Sequence, residues 1–122
     1  MLCKGEDTVT LTERGVKPLV RLLRSGESYV GYSAADKVVG RATAFLYVLL
    51  GVSRVYARVM SRAALSVLEN AGIEVGYDTL TDNIINRRGD GICPFESAVL
   101  DILSADEAYG AILEKMKEMG IE

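Results

Sequence analysis

With 122 residues, 49% of them apolar and 25% charged, and a net charge of −3, the chain has the make-up of one folded domain over 1–122, neither disordered nor basic enough to favour a nucleic-acid partner. The longest apolar run, Ala42–Leu50, is too short to span a membrane, and Lys4, Glu6 and Asp7 interrupt any leader-like stretch. Histidine is absent and the only cysteines are Cys3 and Cys93, so the usual general base and the commonest zinc ligand are missing, no cofactor is indicated, and a reducing cytoplasm is the expected setting.

In chain order, the segment 1–14 is expected to hold at most an edge strand, from the weak alternation of Asp7–Leu11. A helix of two to three turns follows, with Pro18 near its start, Val16, Leu19, Val20 and Leu23 on one side, and Gly26 just past its end. Ser28–Ala34 reads as a strand. Asp36 stands where an N-cap would, ahead of a long helix to about Leu50 that is apolar nearly all round from Ala42. Arg54–Val59 reads as the next strand, and Ser61 caps a helix running to Ala71, with Gly72 as its left-handed stop. Ile73–Tyr77 is a third strand, and Asp78 is expected to start a short helical turn. Asn86–Gly91 is a loop, Cys93-Pro94-Phe95-Glu96 opens a helix, and Ser104-Ala105-Asp106-Glu107 is a capping box. The helix it opens turns Ala108, Ile112 and Met116 inward. Strands alternating with helices predict a three-layer α/β/α sandwich on a mixed, largely parallel sheet.

Two stretches, Ser33–Leu50 and Val55–Gly72, resemble the paired strand–helix units that hold zinc in the cytidine deaminase-like superfamily. There a His/Cys-x-Glu sequence opens one helix and Pro-Cys-x-x-Cys the next. The corresponding residues here are Ala35-Asp36-Lys37 and Met60-Ser61-Arg62-Ala63-Ala64, in which Lys replaces the proton-shuttling Glu, and Ser and Ala fill the cysteine slots. More closely, Gly15-Val16-Lys17-Pro18-Leu19, Ala35 to Ala42, Ile84-Ile85-Asn86-Arg87 and Gly89 to Glu96 resemble a family within that superfamily, the domain-of-unknown-function 1893 family. The resemblance covers about Gly15 to Tyr109. It implies a deaminase-like fold with no metal site and brings no established activity.

The candidate site residues are Asp36, Lys37, Arg62, Arg87, Cys93 and Glu96. Asp36 and Lys37 are expected at a helix start beside the sheet, where N–H groups and a cation suit an anionic ligand. Arg62 opens the neighbouring helix, while Arg58 reads equally as an exposed or ion-paired residue. Arg87 and Arg88 offer forked donors for phosphate or carboxylate, beside the close backbone turns that Gly89 and Gly91 permit. Cys93 at a helix start would have a raised thiolate fraction. The leading expectation is a metal-free domain that binds a small anionic or nucleoside-like ligand. The alternatives are a metal-independent enzyme with Cys93 or Lys37 as nucleophile, and a homodimeric interaction module built from the apolar helices and the Tyr-bearing strands.

Overall fold

The computed structural model describes residues 2–4, 7–9, 17–26, 29–82, 94–99, 102 and 104–120. Two short strands, β1 (Leu2–Lys4) and β2 (Asp7–Val9), precede α1 (Lys17–Ser25). They are followed by β3 (Ser33–Val39), α2 (Arg41–Leu50), β4 (Arg54–Ser61), α3 (Arg62–Asn70), β5 (Glu74–Thr81), α4 (Pro94–Ala98) and α5 (Ala105–Glu118). The sheet order is β2-β1-β3-β4-β5. β1 is antiparallel to both of its neighbours, and β3, β4 and β5 are parallel. The sheet is therefore mixed, with a parallel half built from two successive strand–helix–strand units.

Several elements follow from local chemistry. The Ser61 hydroxyl accepts the Ala64 N–H at 3.0 Å and so caps α3, and the Ser104 hydroxyl accepts the Glu107 N–H at the start of α5. On α5, Ala108, Ile112 and Met116 face inward, as their spacing predicts. Helix α2 is the hub: Ala42 to Tyr47 and Leu50 are all buried, and α1, α3, α4 and α5 each contact it. Right-handed crossovers from β3 to β4 and from β4 to β5 put α2 and α3 on one face of the sheet. Since α1, α4 and α5 also lean on α2, the described helices gather on that face.

The α/β fold and the mixed, largely parallel sheet are as expected, and among the described residues no helix lies against the opposite face. Ala35 and Lys37 on β3, Arg54, Tyr56 and Arg58 on β4, and Glu74 and Asp78 on β5 are exposed, whereas Ala34, Val55 and Ala57 between them are buried. The ladders skip the level of Lys37, Arg58 and Asp78 and resume at Val38, Val59 and Thr79. Past that level the alternation shifts phase: Val39 and Met60 are buried and Val38 is exposed.

The strand boundaries move for identifiable reasons. Tyr29–Tyr32 is a turn, closed by the Tyr32 N–H donating to the Tyr29 carbonyl at 3.0 Å, so β3 starts later than the Tyr and Val content of Ser28–Ala34 suggests. Asp36 and Lys37 lie within β3, five and four residues before α2 begins at Arg41. The strand continues through them because the Asp36 carboxylate finds a partner on α2, the Tyr47 hydroxyl at 2.9 Å, and because Val38 and Val39 favour an extended chain. Asp78 likewise stays in β5, where it accepts a hydrogen bond from the Tyr56 hydroxyl on β4 instead of starting a helical turn. At the N-terminus, β2 is the edge strand expected within Asp7–Leu11, and β1 is an additional strand inside it.

Candidate functional site

Val39 pairs with Met60 across β3 and β4, so the starts of α2 and α3 lie at the same level, side by side at one end of the sheet. Open α/β sheets gather ligands at this end. The residues at the start of α2 are Gly40, Arg41 and Ala42, not Ala35-Asp36-Lys37. Gly40 is the N-cap and has no side chain with which to cap. The carboxylate of Glu96, on α4, does so in its place. It accepts the Arg41 N–H at 2.6 Å and the Ala42 N–H at 2.9 Å. Burial pushes the Glu96 carboxyl above its ordinary value, against the pull of these two donors and of the Arg41 guanidinium.

Arg41 completes the arrangement. Its Nε donates to the Val99 carbonyl at 3.1 Å and its Nη2 to the Ile102 carbonyl, while the guanidinium lies 5.1 Å from the centre of the Phe45 ring. A cation is thus held rigidly between the chain following α4 and an aromatic face of α2. Arg41 and Phe45 also line a groove of about 410 Å³. Its other walls are Val48 on α2, Ser66, Val67, Asn70 and Ala71 on or just after α3, and Ala105 at the start of α5. The floor is mostly apolar, with three polar groups, Arg41, Ser66 and Asn70, around it.

Of the residues singled out from the sequence, the four that are described, Asp36, Lys37, Arg62 and Glu96, have side chains that lie apart from one another. Asp36 is half-buried and points toward the helices, where burial first, then the Asp36 charge and its hydrogen bond, hold the Tyr47 phenol well above its usual range. Lys37 is exposed on the opposite face of the sheet. Arg62 is exposed at the start of α3 and forms an ion pair with Asp82 at 2.8 Å. Glu96 reaches the start of α2 as its cap. Arg87 and Cys93 lie outside the described residues. Arg41 was missed, although it is the one charged residue of an otherwise uncharged α2, and a charge placed on so apolar a helix was the available signal.

Among the described residues, no three His, Cys, Asp or Glu side chains group as a metal set, and no helix is long and apolar enough to cross a membrane. The fold and groove define an α/β domain with a helix-lined cleft beside the ends of its parallel strands. A family profile described as domain of unknown function (DUF1893) matches residues 1–116, and the chain belongs to that family. It is similar to the crystal structure of a DUF1893 family protein, TM1506, from Thermotoga maritima, with 29% identity and a TM-score of 0.78 over 84% of this chain and 70% of that one. No curated protein matches.

Proposed function

We propose that this protein is a small-molecule binding domain whose ligand lies in the groove between α2, α3 and α5. The observation that carries the reading is Arg41, a cation fixed by two carbonyls and stacked on Phe45 at the edge of an apolar cleft. Such a cleft is within the size range of small-molecule sites, which are lined mainly by apolar groups with a few placed polar ones. Its chemistry suits a small flat molecule with an acidic or carbonyl edge. The ring would rest on Phe45, Val48 and Val67, the acidic edge would face Arg41, and the Asn70 amide and Ser66 hydroxyl would read donor and acceptor groups. Nucleosides, their monophosphates and small aromatic carboxylates belong to this class.

The reading retains a deaminase-like frame without zinc. The adjacent helix starts support it, as does a sequence without histidine in which no cysteine stands at either helix start. It assigns binding and no turnover, because neither Lys37 on the opposite face of the sheet nor Asp36 against Tyr47 has a reacting partner in the groove.

Thermal-shift and calorimetric titration with those three ligand classes tests it. One class is expected to stabilise the protein, and Ser66→Leu or Asn70→Leu, which fill the groove from exposed positions, should abolish the effect without changing the fold. Arg87→Ala and Cys93→Ala extend the test to the loop residues singled out from the sequence. If none of the three classes stabilises the protein, or if binding survives both groove-filling variants, the assignment is wrong.

A further inference from the structure

We infer that the groove between α2, α3 and α5 selects an extended aryl carboxylate over the corresponding phosphate ester, and that Glu96 sets this preference. The inference rests on the groove as the binding site and adds the charge and the length of its occupant.

The register of the sheet places the polar groups of the groove. Val39 pairs with Met60, so Gly40 and Ser61, the N-caps of α2 and α3, stand level. Both helices then run back alongside each other, antiparallel to the strands they connect. Residues equally far past their caps are level, which puts Ser66 opposite Phe45 and Asn70 one turn further on. Arg41, Ser66 and Asn70 are thus spaced by successive helical turns of about 6 Å, or about 12 Å from end to end along the helices. Phe45, Val48, Val67 and Ala71 line the apolar length between them. Such a slot fits an extended molecule with its acid at Arg41, its ring along the apolar walls and a hydroxyl toward Asn70.

The acid end is set by what Arg41 and the start of α2 already hold. Helix-start N–H groups are common receivers of phosphate. Here those of Arg41 and Ala42 donate to the Glu96 carboxylate at 2.6 and 2.9 Å. Two N–H donors of the Arg41 guanidinium are engaged as well, by the Val99 and Ile102 carbonyls. The Glu96 charge also lies close enough to the guanidinium for the two to attract. A carboxylate needs one forked pair of donors and brings a single charge. A phosphate monoester brings nearly two charges and three terminal oxygens, and removing it from water beside an existing carboxylate is the more costly. Glu96 therefore discriminates by its charge and through Arg41, as a positioning residue without contact with the ligand.

Calorimetric titration at about pH 8, where a phosphate monoester is almost fully doubly charged, compares p-hydroxyphenylpropanoate with p-hydroxyphenethyl phosphate. The two share ring, hydroxyl and ethylene arm and differ in the acid. Wild type should bind the carboxylate about tenfold or more tightly than the phosphate. Glu96→Gln keeps an acceptor for α2 and removes the charge, so the preference should fall to about threefold or less. A ratio of two ligands on one protein is not moved by a loss of stability, and circular dichroism checks that the variant is folded. Equal or tighter binding of the phosphate by wild type would overturn the inference and leave the groove as a binding site. So would a preference unchanged in Glu96→Gln. No binding of either probe would overturn it too, and the groove falls with it only if nucleosides also fail to bind. Binding of both probes that survives Ser66→Leu would place them outside the groove and sink both proposals.

Discussion

Glu96 accepts a hydrogen bond from the backbone N–H of Arg41, 55 residues earlier in the chain, and another from Ala42. A helix start with glycine at its N-cap leaves orphan N–H groups, and one remote carboxylate satisfies two of them while opposing the positive end of the helix dipole. The same contact fixes the origin of the helix on which the whole core is assembled. Glu96→Ala removes a charged acceptor from two part-buried donors, so a loss of about 2–4 kcal/mol is expected in urea unfolding. Glu96→Gln, which keeps one acceptor oxygen and turns an NH2 group toward the second donor, should fall between. A loss under about 0.5 kcal/mol for Glu96→Ala, the scale of an ordinary surface change, would show that the cap does not hold in solution.

The same carboxyl gives a pH dependence whose sign can be worked out. Its folded value is raised above the ordinary 4.5, mainly by burial, so between the two values the native state holds a proton that the unfolded chain has released. The resulting stability is complete below the unfolded value and is lost as pH rises through the folded one. Relative to the non-titrating Glu96→Gln, wild type should therefore lose stability from mildly acidic to neutral pH. Denaturant midpoints of the two proteins across that range provide the check. A difference that moves in favour of wild type as pH rises would mean that the two N–H donors and Arg41 outweigh burial.

Tyr47 and Asp36 form a part-buried polar contact between the sheet and the hub helix. The phenol is raised well above its usual range, so it should stay protonated as long as the protein is folded. Spectrophotometric titration should find one of the six tyrosines silent until alkaline unfolding, and Tyr47→Phe should remove that silent group. Tyr47→Phe leaves Asp36 without its hydroxyl donor and should cost about 1–2 kcal/mol. Unchanged stability would mean that water replaces the hydroxyl without loss.

The helices were legible in the sequence because their signals are local: Ser61 and Ser104 cap what they precede, Gly72 stops what it follows, and the inward stripe of α5 needs only its own spacing. Signals that span the chain were not. Asp36 looks like an N-cap beside its neighbours, and only the phenol eleven residues away on α2 accounts for its place in a strand. The true cap of α2 comes from Glu96, which nothing near Gly40 announces. Arg41 was passed over because a cation inside a core is read as a cost until its two carbonyls and the Phe45 face are in view. The side of the sheet on which Arg54, Tyr56 and Arg58 are exposed was hidden too, since alternating exposed and buried residues along β4 describe one strand and leave open what lies on either side.

Gly51 ends α2 in a left-handed conformation, with φ of 81°, and its N–H closes back on the Tyr47 and Val48 carbonyls. An added Cβ would approach Cγ2 of Val30 to 2.9 Å, closer than real Cβ atoms come. Gly51→Ala therefore combines a left-handed alanine with a clash against the turn that leads into β3, and about 2 kcal/mol of destabilisation is expected. Gly72, which ends α3 region chain in the same conformation with φ of 77°, meets nothing within 4 Å, so Gly72→Ala isolates the backbone cost alone at about 1 kcal/mol. The double variant Gly51→Ala with Val30→Ala then decides between the two causes. Shortening Val30 removes the contacting methyl, and because its side chain is exposed that change alone should cost little. Recovery to the Gly72→Ala level assigns the excess to the Val30 contact, whereas no recovery would leave conformational strain as its whole origin.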